Sequence, residues 1–159
     1  MPEAVVAITG ASGAQYGVRL VDELLNAGWS VSLIVTNAGA INLDLECRIA
    51  PEVLGERDGV TLEDNGNLAA RSASGSARFD AYIVCPASGT TIGKIAAGIS
   101  DNLATRSALV ALKESRKLIL VPRETPVSTP HLEAMARMSS WGVVTVSYTH
   151  LTLPTICSV

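Results

Sequence analysis

The chain reads as an open α/β sheet of parallel strands with helices on both faces, and three observations predict it. Apolar β-branched runs alternate with segments of helical periodicity along the 159 residues. The first run, Ala4 to Ile8, passes through Thr9-Gly10-Ala11-Ser12-Gly13-Ala14-Gln15-Tyr16-Gly17 into a helical stretch, so a strand meets a helix at a glycine turn. Polar residues then gather just beyond the carboxyl ends of the runs, where doubly wound sheets bind their ligands.

Strands are predicted at Ala4 to Ile8, Val31 to Val35, Ala81 to Val84, Leu118 to Val121 and Gly142 to Val146. Between the first two, Val18, Val21, Leu24 and Leu25 recur at helical spacing until Ala27-Gly28 closes the helix, which gives one right-handed βαβ unit. A second helix is expected over Ala38 to Cys47, with Pro51 at or soon after its end. Arg48 to Arg78 is the least regular stretch, and Gly55, Gly59, Asn65-Gly66 and the Ser72 to Ala77 run predict short strands, turns and a mobile loop. Ser88, Thr90 and Thr91 can cap a helix through Ile92 to Ala97, and Gly98 to Asn102 makes a turn before a strong helix over Leu103 to Ser115. Thr129-Pro130 is a cap and first-turn pair for a helix ending at Ser140.

The length fits one domain with a real core. Apolar residues make up 48% and charged ones 17%, with mean hydropathy +0.33; that richness predicts apolar surface covered by further subunits. A net charge of -3 supplies no basic field, which argues against nucleic acid or an anionic membrane as partner. With neither a membrane-length apolar run nor a signal-peptide pattern, a cytoplasmic address is expected. Cys47, Cys85 and Cys157 are too few and too scattered for a disulfide framework or a zinc site, so they read as buried thiols and no metal is expected.

Glycines let a backbone turn tightly around an anion, and the unpaired N–H groups of a first helical turn point at it, so the Gly10 to Gly17 junction reads as a phosphate cradle. The strand tips add Thr36 and Asn37, then Ser88, Thr90 and Thr91, then Arg123 and Glu124. Singly each has a structural explanation as a cap or turn; together on one rim they predict a site. Arg106 and Lys113, seven apart, share a helix face, although spacing alone fits a solvated face whose cations complement the macrodipole. Arg123-Glu124 between Pro122 and Pro126 reads as functional, since a charged pair straight after a buried strand must be partnered or used. His131 reads as a surface histidine, and Met135, Met138 and Trp141 as core or subunit contact.

A dinucleotide dehydrogenase fits poorly. The glycines fall as GxxGxxxG, Thr36 stands where an acidic residue would hold ribose hydroxyls, and there is no Tyr-x-x-x-Lys pair. A mononucleotide fits better, with flavin mononucleotide (FMN) first among the candidates.

Four ordered blocks carry a resemblance: TGASGAQYGVRL at Thr9 to Leu20, CPAS..T at Cys85 to Thr91, DNLATRSALVALKE at Asp101 to Glu114 and VPRETP at Val121 to Pro126. They resemble the flavin prenyltransferase family of the UbiX/Pad type over Val5 to about Val146. The resemblance implies a Rossmann-like (flavodoxin-like) doubly wound parallel sheet in three αβα layers, forming one flavin-binding domain over residues 1–146. It implies transfer of a dimethylallyl group from dimethylallyl phosphate to reduced FMN without a metal, flavin N5 attacking the allyl carbon and ring closure at C6 following. The product would serve a UbiD-type decarboxylase. FMN contacts carry over to Gly10, Ala11, Ser12, Thr36, Ser88, Thr91 and Arg106, and phosphate and proton-transfer roles to Ser12, Glu46, Arg106, Lys113, Arg123 and Glu124. Glu46 would assist from a neighbouring subunit. Thr36 keeps the hydroxyl of the Ser found in many relatives, and Leu68 falls where some have an aromatic. A homo-oligomer is implied, trimer-based and dodecameric, with sites at subunit boundaries. The alternatives are a related flavin-dependent cysteine decarboxylase and a non-catalytic FMN-binding module; VPRETP and Lys113 favour the prenyltransferase.

Residues 147–159 lack the helix that should follow the last strand and resemble translated sequencing-adapter read-through, so native sequence is expected to end near Val146. A Tyr and an Arg that family members carry further on are then missing, and the chain is expected to bind flavin yet prenylate poorly.

Overall fold

In a computed structural model, which describes residues 1–147, the apolar runs become strands of one all-parallel sheet. The elements are β1 Glu3–Ile8, α1 Ala14–Asn26, β2 Ser30–Val35, α2 Asn37–Asn42, a π-helical turn Leu43–Cys47, α3 Pro51–Gly55, β3 Val60–Glu63, β4 Ala81–Ala87, α4 Gly89–Ala96, α5 Leu103–Lys113, β5 Leu118–Pro122, α6 Thr129–Ser140 and β6 Val144–Thr145. Strand order is β3-β2-β1-β4-β5-β6, every pair parallel. This is the Rossmann winding, in the three-layer form shared with flavodoxin-like proteins. The order reverses between β1 and β4, and a crevice opens there at the strands' carboxyl ends.

The strands read as unbroken apolar runs because both faces are covered. Val5, Ala7, Val84, Leu118 and Leu120 pack against α4, α5 and α6 through residues such as Ile92, Ala108 and Met138. Val6, Ile8, Val31 and Leu33 face the other way onto Val21 of α1, Leu43 of the π turn and Leu54 of α3. The glycines of the first junction do backbone work: Gly13 sits at φ 106°, and a Cβ on Gly17 would lie 2.6 Å from the Cys85 carbonyl oxygen.

Several expectations are revised. The second helix starts at Asn37 and changes at Leu43 into a π turn ended by Arg48 at φ 55°. Pro51 opens α3 after that break, at a position where its missing N–H costs nothing. Ser128, not Thr129, stands at the N-cap of α6. The irregular stretch does hold a short strand as expected, the edge strand β3. The loop after it is pinned rather than mobile. Asn65 accepts the Leu103 N–H through its carbonyl at 2.8 Å and the Ala104 N–H through Oδ1 at 3.0 Å. Arg116, just past the end of α5, donates to the carbonyls of Gly75 and Ala77 and to the Tyr82 hydroxyl. Of the tail singled out above, Tyr148 to Val159 lie outside the described residues.

Candidate active site

The crevice at the switch point is about 330 Å³ and is lined by Gly10 after β1, Thr36, Asn37 and Ala38 after β2, Asn65 after β3, Ser88, Thr90, Thr91 and Lys94 on and before α4, and Asn102 before α5. Local chemistry sets these groups. Thr36 caps α2, its Oγ1 accepting the Gly39 N–H at 3.0 Å. Ser88 caps α4, its Oγ accepting the Thr91 N–H at 3.2 Å and lying 2.9 Å from Thr91 Oγ1. Asn102 and Thr105 form a reciprocal capping box at the start of α5. Where the β1–β4 ladder ends, Thr9 continues the seam: its N–H donates to the Pro86 carbonyl at 3.3 Å, and its Oγ1 donates to the same carbonyl at 2.6 Å and accepts the Ser88 N–H at 2.8 Å.

The phosphate cradle expected at the α1 N-terminus is filled by the chain itself. Glu46, from the π turn, accepts the Gly13 N–H at 3.0 Å and the Ala14 N–H at 2.8 Å through Oε2. One carboxylate thus takes the place of an incoming anion, for the reason that made the junction look like a phosphate site: oriented N–H groups and a helix dipole. Asn42 Nδ2 donates to the Ala11 carbonyl at 3.0 Å and ties the same loop. Cys47, which follows Glu46, is half-buried rather than buried as expected; that burial first, then the neighbouring carboxylate, push its thiol above its ordinary range.

Of the residues singled out from sequence, Gly10, Thr36, Ser88 and Thr91 meet in the crevice, and Ala11 and Ser12 belong to the loop beside it. Glu124 stands apart from them, at a smaller cavity shared with Gly89 and His131, where its Oε2 lies 3.3 Å from His131 Nδ1. Arg123 is exposed in the same segment. Arg106 and Lys113 do not line the crevice. Lys113 sits near the C-terminal end of α5, 3.3 Å from Glu114, beside the Gly75–Arg116 cluster below the start of β4. Seven helical residues separate it from Arg106 by about 10 Å. Asn65, Lys94, Asn102 and His131 were missed as site neighbours. Placing β3 would have brought the Asn65 turn onto the same rim, and Asn102 carried a readable capping pattern.

Hydroxyls and amides dominate this rim, and the one cation lining it among the described residues, Lys94, is paired with Asp101 at 2.9 Å. Such a donor set suits a phosphorylated polyol chain with a flat ring, and FMN fits it. The winding and its crevice define a doubly wound α/β protein with a nucleotide-type site at its switch point. The flavoprotein family profile matches residues 2–157. The chain belongs to that family and, within it, to the UbiX-type flavin prenyltransferases. It is 43% identical over 147 residues to the flavin prenyltransferase UbiX of Halalkalibacterium halodurans, covering 87% of this chain and 71% of the relative. Among solved structures it superposes with TM-score 0.87 and 38% identity on a dodecameric FMN-dependent UbiX-like decarboxylase from Escherichia coli O157:H7, covering 91% of this chain and 79% of the other. A UbiX (PadA1) crystallised with FMN and dimethylallyl pyrophosphate matches at TM-score 0.87 and 34% identity, over 91% and 76% of the two chains.

Proposed function

We propose that the switch-point crevice holds reduced FMN while dimethylallyl phosphate lies beside it, toward Glu124, and that the chain joins the two. The observation that carries this is the convergence of Thr36, Ser88 and Thr91 at one crevice, with Glu124 close to the first residue of α4. Bound reduced FMN supplies the nucleophile. The protein's part is to orient it, neutralise the leaving phosphate and move protons. Thr36, Ser88 and Thr91 orient the cofactor by hydrogen bonds, with Gly10 and Ala11 allowing close approach. Glu124 exchanges the proton, with Ser12 as relay, and Arg123 adds positive charge to the same segment. Arg106 and Lys113 stabilise charge on the departing phosphate.

The position of Lys113 supports a site assembled between copies. It lies at the end of α5 away from the crevice, so the anion it serves belongs to another subunit. The dodecameric relative and the exposed apolar side chains of Ile41, Leu45 and Val53 agree with an oligomer, which we assign as trimer-based. Glu46 is bound to its own α1, so the role toward a neighbour's guest implied by the resemblance requires those bonds to break; we assign it first to holding the loop. A UbiD-type decarboxylase as recipient of the product and a cytoplasmic address complete the reading.

Anaerobic incubation with reduced FMN and dimethylallyl phosphate, followed by mass spectrometry of the flavin, tests it. A flavin heavier by the dimethylallyl group is expected, at low yield because slow prenylation is anticipated for this chain, and no trace of it after prolonged incubation refutes the proposal. Glu124→Gln is expected to lower the rate by about 100-fold, the lower end of what a positioned proton-transfer group contributes.

A further inference from the structure

We propose that His131 is the positioning residue of Glu124: it holds one carboxylate oxygen so that the other is presented to the guest. The inference rests on the reading of Glu124 as the group that exchanges protons. Glu124 sits on an exposed segment beyond β5, and among the described residues its side chain has one polar partner, His131, with Nδ1 3.3 Å from Oε2. An unheld glutamate there samples many rotamers, whereas proton transfer requires hydrogen-bond reach and alignment.

The imidazole itself is fixed. Its ring lies flush on the backbone of Gly89: a Cβ built there would fall 2.1 Å from Cε1 and 2.7 Å from each ring nitrogen. Gly89 is the first residue of α4, directly after the Ser88 cap. Ile92, Val127 and Met135 line the small cavity against which the ring packs. The crevice wall therefore fixes the histidine, and the histidine fixes the carboxylate, so Glu124 is registered to the helix whose cap lines the cofactor crevice. An ionised carboxylate only accepts hydrogen bonds, which requires the proton on Nδ1 and leaves Nε2 to the outside.

Two measurements decide it. Nitrogen-15 spectra of the imidazoles, with His131 assigned by the loss of its signal in His131→Asn, are expected to show the proton on Nδ1. A proton on Nε2 with Nδ1 bare overturns the proposal. In flavin prenylation assays, His131→Leu is expected to lower kcat about tenfold with KM for dimethylallyl phosphate within about twofold, as for a lost alignment. His131→Asn, which restores a donor near the Nδ1 position, recovers most of the rate. Equal loss in Leu and Asn variants would mean packing alone and would overturn it. In the Glu124→Gln background, His131→Leu adds nothing further, because the two act as a unit. If Glu124→Gln keeps full rate, the reading of Glu124 falls and this proposal with it; if Glu124→Gln is slow while His131→Leu is not, only the proposal falls.

Discussion

Glu46 shows how one residue can answer a motif built like a ligand site. The N–H groups of Gly13 and Ala14 converge on its carboxylate across more than thirty positions of sequence. Glu46→Ala leaves both donors unpaired at a helix start, and the expected cost is about 1–2 kcal/mol, read by urea denaturation. Inorganic phosphate should then stabilise the variant more than the parent, because the cradle is free to take it. An unchanged urea midpoint would show that the contact carries no stability. The glycine turn was legible in the sequence because φ and spacing constrain it locally. Its occupant was not, since nothing at Gly10 to Gly17 encodes which distant carboxylate reaches back. His131 escaped for a related reason: its meaning depends on contact with Gly89, which no spacing reveals.

At the scale of elements, the long periodic helices and buried strands were readable, whereas the π turn was not and β3 was legible only as a short strand without bounds. A π turn breaks the 3.6 period that identifies helices, and an edge strand of four residues is too short to show alternation. The π turn holds Cys47, whose thiol is pushed up by burial and by Glu46. A raised folded-state value means the folded chain keeps a proton that the unfolded chain releases, so stability is full below the ordinary thiol range and falls as pH rises through it. Alkylation of Cys47 by iodoacetamide near neutral pH is accordingly expected to be slower than that of a free thiol, as peptide mapping would show. At the other end of the strands, Arg116 ties the loop before β4 through three acceptors. Arg116→Met orphans them, and a loss of about 2 kcal/mol is expected, together with faster amide exchange in residues 74–78.

For the molecule as a whole, the winding was predictable and the composition of the site only partly so. Periodicity and polar strand tips place the crevice, but they cannot say that Lys113 points away from it, because helical spacing gives a face and not a neighbour. If Lys113 serves another subunit's crevice, Lys113→Ala and Glu124→Gln variants, each slow alone, should regain part of the activity when unfolded and refolded together. No recovery in mixed assemblies would place both residues in one protomer's site. Ile41→Glu combined with Leu45→Glu should lower the assembly's mass by light scattering toward the 16.5 kDa of a single chain.

The Thr9 hydroxyl has a wider reach than its size suggests. By bridging Pro86 and Ser88 it rivets the two halves of the sheet like the pivot of a calliper, setting how far the jaws stand apart. A valine there would keep the volume and lose the rivet, and the gauge of guest the molecule accepts would widen without any lining residue having changed.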